Sequence, residues 1–206
     1  MENKLLGNNV DYGTKPKTKR GEATRKKILQ AAADEIGGKG FSEASISSIT
    51  TAAGVGQGTF YIYFKSKEEV LRALVQEYST SIRHHLSEAS KGASSRLERE
   101  RLGLKAFIDY VRENRSFYLI IHETMFIDPE LYQEYYQQFA NSYERRLDDA
   151  QKNNEIEPLN TEVCAWSLMG IGEFLGYRYG ILDTKTPSEK VVEDVFTFIE
   201  NGMRKK

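Results

Sequence analysis

With 206 residues, 39% of them hydrophobic, the chain is long enough to bury a real core and to form one small and one medium domain. A single cysteine, Cys164, excludes an intrachain disulfide, and with no signal-like segment and no apolar run that could span a bilayer, the expected location is the cytoplasm. The net charge of −1 is unevenly spread: residues 1–67 hold 11 Lys/Arg against 6 Asp/Glu, a net of +5, which leaves 18 against 24 for residues 68–206, a net of −6.

In chain order, residues 1–20 lack apolar periodicity, contain Gly7, Asn8, Asn9, Gly13 and Pro16, and end in Lys15, Lys17, Lys19 and Arg20. They read as a flexible basic arm, either a solvated tail or a segment that adds phosphate or minor-groove contacts. A first helix is expected from about Glu22 to Gly37, with Ile28, Leu29, Ala32, Ala33 and Ile36 on one side and the glycines of Gly37-Gly38-Lys39-Gly40 as its stop. Ser45 suits the N-cap of a second helix carrying Ile46, Ile49 and Ala53, which Gly54-Val55-Gly56 ends in a sharp turn. A third, short helix spans about Gly56 to Ile62. Ser66-Lys67-Glu68-Glu69 then reads as a capping box that opens a fourth helix, whose stripe Val70, Leu71, Leu74, Val75, Tyr78 and Ile82 runs to about Leu86.

Past a polar break at 87–95, five more helices are expected: about Leu97 to Asn114, Ser116 to Phe126, Pro129 to Asn153, Asn160 to Gly180 and Ser188 to Met203. Asp128 before Pro129, Asn160 after Pro158 and Ser188 after Pro187 mark three of the starts. No stretch alternates like a strand, so the fold class is all-α.

Helix, glycine turn, short helix and freshly capped helix form the pattern of a DNA-binding helix-turn-helix. Gly40-Phe41, Ile49, Ala53-Gly54-Val55, Gly58-Thr59-Phe60-Tyr61, Tyr63-Phe64-Lys65 and Lys67-Glu68 resemble the N-terminal domain of TetR-family transcriptional regulators over roughly residues 22–72. The resemblance implies about nine helices. A three-helix DNA-binding domain at 21–67 would follow the arm, and a bridging helix would lead into a ligand-binding and dimerisation domain at 68–206. It further implies that Ser45, Ser47, Thr59, Tyr61, Tyr63 and Lys67 contact phosphates or groove edges. Gln57 and Gly58 are then placed to face bases, the Gln57 amide being able to pair bidentately with adenine. Two departures from the common pattern, the glycines on both sides of Gln57 and Ser47 in place of a frequently basic residue, are expected to lower intrinsic affinity.

In the C-terminal part, Phe107, Tyr110, Tyr118, His122, Met125, Phe126, Tyr135, Phe139, Tyr143, Trp166 and Met169 concentrate where the resemblance places an effector pocket, with Glu173 as a further polar contact. Such a set is either core or the wall of a site for a lipophilic or aromatic effector. The run Gly170-Ile171-Gly172-Glu173-Phe174-Leu175-Gly176 imitates a dinucleotide-binding glycine motif, but it lies inside an apolar helix with no preceding strand. By resemblance the last two helices form a homodimer interface, with Gly172, Gly176, Val192, Val195, Phe196 and Ile199 as candidates.

Three histidines, His84, His85 and His122, and one cysteine offer no zinc spacing, and no serine sits on a nucleophile elbow, so neither an enzyme nor a cofactor is expected. The sequence points to a ligand-responsive dimer on a pseudo-palindromic double-stranded operator, most simply a repressor. The alternatives are a small-molecule binding protein without DNA function, or a non-specific nucleic-acid binder.

Overall fold

The computed structural model describes residues 12–203, and among these every regular element is helical. The helices are α1 (Lys19–Lys39), α2 (Ile46–Ala53), α3 (Gln57–Tyr63), α4 (Lys67–Ala89), α5 (Arg96–Glu113), α6 (Arg115–Ile127), α7 (Pro129–Lys152), α8 (Thr161–Leu175), a π-helical segment (Gly176–Leu182) and α9 (Ser188–Met203). None of them is long and apolar enough to cross a membrane. The chain divides into two compact units, one of residues 12–79 and 116–133 and the other of residues 80–115 and 134–203, so α4 and α7 each contribute to both.

In the first unit α1 buries Ile28, Leu29, Ala32 and Ile36, the i, i+4 and i+8 positions of one face. The chain leaves α1 through Gly40, whose φ of +85° lies in the left-handed region, with Gly40 N donating to Ile36 O at 2.8 Å. α2 begins with a reciprocal box: Ser45 Oγ accepts from Ser48 N at 3.0 Å, and Ser48 Oγ accepts from Ser45 N at 3.1 Å. It ends at Gly54 (φ +66°), where Gly54 N donates to Thr51 O at 3.2 Å and Val55 N to Thr50 O at 3.0 Å, the paired bonds of a Schellman turn. α3 has no side-chain cap, because its N-cap residue is Gly56, and its single buried residue is Phe60.

The structure departs from the expected arm at its C-terminal end. Residues 1–11 lie outside the described residues, but from Tyr12 onward the segment is held. Thr14 N donates to Tyr63 O (2.8 Å) and Gly13 N to Glu69 Oε1 (3.3 Å), and the Arg72 guanidinium lies 5.7 Å from the centre of the Tyr12 ring. α1 then starts at Lys19, three residues earlier than the apolar stripe indicated, because the Thr18 hydroxyl caps it by accepting from Gly21 N at 3.1 Å. Glu69 also departs from a simple box. Its amide donates to Ser66 Oγ (3.2 Å), but its carboxylate accepts from Lys65 N (2.5 Å) and Gly13 N, so it ties the segment before α1 to the start of α4.

The division of the chain does not fall at 67/68. α6 belongs with the first unit because its polar groups are used there. Glu123 Oε1 accepts from Phe41 N at 2.7 Å, Asp128 beyond its end pairs with Arg72 (Nε to Oδ2, 2.7 Å), and Phe117 lies edge-on to Tyr78 at 4.9 Å between centres. Asp128 also caps α7, Oδ1 accepting from Leu131 N at 3.2 Å behind Pro129.

In the second unit α5 packs against α8, the π-helical segment and α9. Leu147, Ala150, Ile156, Ala165, Ile199 and Met203 form one buried cluster; Ile108, Val191 and Val192 form another. The recurrent glycines of the eighth helix do permit a close approach, but to α5 of the same chain. A Cβ on Gly176 would meet Phe107 Cε1 at 2.7 Å, and one on Gly180 would meet Val111 Cγ1 at 2.6 Å and Val111 Cβ at 2.9 Å. Here the helix widens into π turns, Asp183 N donating to Arg178 O at 2.9 Å, and the expected α-helix to Gly180 stops at Leu175. Gly180→Ala is therefore expected to destabilise the protein by about 1–3 kcal/mol. Gly170→Ala, with nothing within 4 Å of the added methyl, should be neutral or stabilising. Thermal denaturation of the two variants makes the comparison.

Candidate nucleic-acid interface and ligand cavity

The first unit presents the α2–turn–α3 segment outward. Phe60 and Phe64 are fully buried, 5.9 Å apart between ring centres, and they fix α3 from below while Gln57, Gly58 and Tyr61 are exposed, Tyr61 at 54%. Ser45 and Ser47 are exposed at the start of α2, although the Ser45 hydroxyl is already used as a cap and the Ser47 carbonyl accepts from Thr51 Oγ1 at 2.9 Å. Thr59 and Tyr63 are half-buried. The set is thus brought onto one edge of the domain, with one exception in its chemistry. Lys67 is turned inward: Nζ donates to the carbonyls of Phe41 (2.5 Å) and Ala44 (2.6 Å) and lies 4.2 Å from the centre of the Phe41 ring. Its ammonium closes the α1–α2 connection rather than facing solvent as a phosphate donor would.

The second unit holds an apolar cavity of about 100 Å³. Six of the residues singled out from sequence line it: Phe107, Tyr135, Phe139, Tyr143, Met169 and Glu173. The others do not. Tyr110 belongs to the same unit but is 5% exposed, with its hydroxyl donating to Ser81 Oγ at 3.1 Å, and Trp166 is 43% exposed on α8. Tyr118, His122, Met125 and Phe126 belong to the first unit. There Tyr118 is buried, His122 Nδ1 donates to the Tyr118 carbonyl at 2.8 Å, and Phe126 is 84% exposed. An i, i+4 aromatic spacing marks a helix face without telling which neighbour that face meets.

Sequence reasoning missed the polar end of this cavity. Glu100 lines it and is buried; it accepts from the Arg96 guanidinium and from the Tyr143 hydroxyl. Arg96 lies under the Tyr143 ring, 5.1 Å from its centre, and its backbone amide donates to Glu155 Oε2 at 2.9 Å. Burial pushes the Glu100 carboxyl up, to about 8, against the opposing field of Arg146, and burial holds Arg96 down, to about 10. Tyr135 is driven well above the ordinary phenol range, first by burial and then by the charge of Glu173, so it stays a neutral donor. Arg96, Glu98, Arg99, Glu100 and Arg101 read in sequence as a solvated face. The only available signal was the i, i+4 spacing of Arg96 and Glu100.

The residues expected at a dimer interface are used within the chain. Gly172 and Gly176 face Leu104, Phe107 and Val111 of α5. Val192 and Ile199 are 2% and 5% exposed, Val195 packs on the Leu147–Ile199 cluster, and Phe196 is half-buried. The exposed apolar side chains of α8, the π-helical segment and α9 are others: Val163, Trp166, Phe174, Tyr177 and Phe198. A single-residue shift of register around a helix exchanges the two sets, which the 3.6-residue period does not resolve when both faces are apolar.

Comparison with known proteins fits this arrangement. Residues 28–74 match the family model described as bacterial regulatory proteins, tetR family. Over 185 residues, 86% of this chain and 93% of the relative, the chain is 29% identical to the HTH-type transcriptional regulator YvdT of Bacillus subtilis. Its fold is similar to that of the fatty acid degradation regulator FadR from Bacillus halodurans (TM-score 0.77, 22% identity, 93% of this chain and 100% of that one). It is also similar to that of FadR from Bacillus subtilis, solved in complex with stearoyl-CoA (TM-score 0.75, 20% identity, 84% and 96%). With its helix-turn-helix head and its separate ligand cavity, the chain belongs to the TetR family of bacterial transcriptional regulators and is a ligand-responsive, DNA-binding regulator.

Proposed function

We propose that the protein is a cytoplasmic homodimeric repressor, released from a pseudo-palindromic operator when a lipophilic or aromatic small molecule enters the cavity of the second unit. The observation that carries the reading is the anchoring of α3 by Phe60 and Phe64 with Gln57, Gly58 and Tyr61 turned to solvent, beside an enclosed cavity in a different unit. Gln57 at the start of α3 reads a base, Tyr61 and Thr59 bind phosphates, and Ser45 and Ser47 approach the backbone from α2. Lys67 acts by positioning α2. Val163, Trp166, Phe174, Tyr177 and Phe198 supply the apolar surface for the second copy. Two recognition helices then enter successive major grooves about 34 Å apart. The stearoyl-CoA of the B. subtilis FadR structure supports a long apolar guest in this fold; the chemistry of this chain's own wall decides its class.

The test is selection of bound fragments from the source genome by purified protein at about 150 mM salt. One inverted repeat is expected, and Tyr61→Phe should weaken all bound sequences alike by about tenfold without changing the melting temperature. Enrichment of nothing would leave a small-molecule binder. Enrichment blind to sequence and steep in salt would leave a non-specific binder. An effector and the operator must weaken each other by the same factor, typically about 5- to 150-fold.

A further inference from the structure

The wall of the cavity is electrically one-sided. Glu100 and Glu173 line it, and no lysine, arginine or histidine does. The two arginines that touch lining residues are already engaged. Arg96 is held by Glu100, and Arg83 donates from Nη1 to Gln138 Oε1 at 3.0 Å with its guanidinium 5.8 Å from the centre of the Phe139 ring. Glu173 is also out of place by composition. It is the one charged residue between Glu162 and Arg178, in a helix that is otherwise apolar along this stretch. A carboxylate at an apolar wall carries a desolvation cost that nothing in the packing of α8 requires.

From this we infer that the effector is an organic cation: an ammonium or similar centre with aromatic or alkyl substituents, its charge met by Glu173 and Glu100 and its substituents by the rings of Phe107, Tyr135, Phe139 and Tyr143. The inference rests on the reading of this cavity as the effector site and names the class of molecule that fits it. Aromatic faces and carboxylates attract a weakly hydrated cation together, and the attraction grows as the site is dried. An acyl-CoA or a free fatty acid brings negative charge to the same wall and meets two carboxylates and no cation. The cavity, about 100 Å³, is below the range of about 300–1,000 Å³ usual for drug-sized ligands, so a small cation is the right first probe.

The experiment is calorimetric titration of the full chain with phenyltrimethylammonium, with its uncharged carbon isostere tert-butylbenzene, and with stearoyl-CoA. The cation is expected to bind at least about tenfold more tightly than the isostere. Glu173→Gln should abolish that preference while leaving tert-butylbenzene binding unchanged, and Glu173→Asp, which keeps the charge, should retain it. Tighter binding of stearoyl-CoA or of the isostere, an unchanged preference in Glu173→Gln, or no binding of the cation would each overturn the assignment. Cation binding without an enriched inverted repeat would sink the regulator reading and leave this one standing. The repeat without cation binding would do the reverse.

Discussion

Phe60→Ala is expected to cost about 3–5 kcal/mol and to abolish operator binding with it. Phe60 is fully buried and is the only buried residue of α3, a helix of seven residues with no side-chain cap at its start. A helix this short does not hold itself together in water, so its geometry comes from the packing of that one ring. Removing the ring leaves Phe64, which lies beyond the helix end, to restrain a segment whose first turn contains Gly56 and Gly58. The loss is comparable with the lower end of a domain's total stability of about 5–15 kcal/mol. Hydrogen exchange of the α1–α3 amides, measured beside operator binding, separates this from a contact effect. Phe60→Ala should raise exchange and lose binding, whereas Tyr61→Phe should weaken binding with exchange unchanged. Protected α3 amides in Phe60→Ala would show that α3 is held by something other than its buried ring.

The elements that were readable from sequence are those whose cause is local. Ser45, Gly54 and Pro129 act within four residues of themselves, and α2, its turn and the start of α7 lie where those residues put them. What could not be read depends on distant partners. Glu69 is drawn to Gly13 and Lys65, Lys67 to the carbonyls of Phe41 and Ala44, and Glu123 to Phe41 N, each across a tertiary gap to which no spacing rule applies. The same holds for the cavity. Half of the residues chosen for it line it, because apolar periodicity finds a buried face; Tyr118 and His122 belong to the other unit, because periodicity does not say which core the face joins. Gly176 and Gly180 show the limit of a small-residue stripe: the close approach was legible, but its partner, Phe107 and Val111 of the same chain, was not.

Arg96→Met is expected to cost about 3–5 kcal/mol, whereas the double change Arg96→Met with Glu100→Leu should be nearly neutral or stabilising. Both side chains are 6% exposed, so removing the guanidinium alone leaves a buried carboxyl with only the Tyr143 hydroxyl as its donor. Removing both ends the desolvation cost of the pair. The pH dependence gives an independent reading. The Glu100 carboxyl is raised from its ordinary 4.5 to about 8 by burial, so the native chain holds a proton there that the unfolded chain has released. The stabilising contribution of that proton is fully present below the ordinary carboxylate value and is lost as pH rises through about 8. Wild-type stability should therefore decline between neutral and mildly alkaline pH, and Glu100→Gln, which keeps the shape and cannot ionise, should remove that decline. Melting temperatures of the four variants across this range test both statements. A wild-type curve that is flat through pH 8, or a double variant as unstable as Arg96→Met, would show that Glu100 is ionised and paired at neutral pH, and that the Arg96–Glu100–Tyr143 cluster stabilises the wall of the cavity as an ion pair.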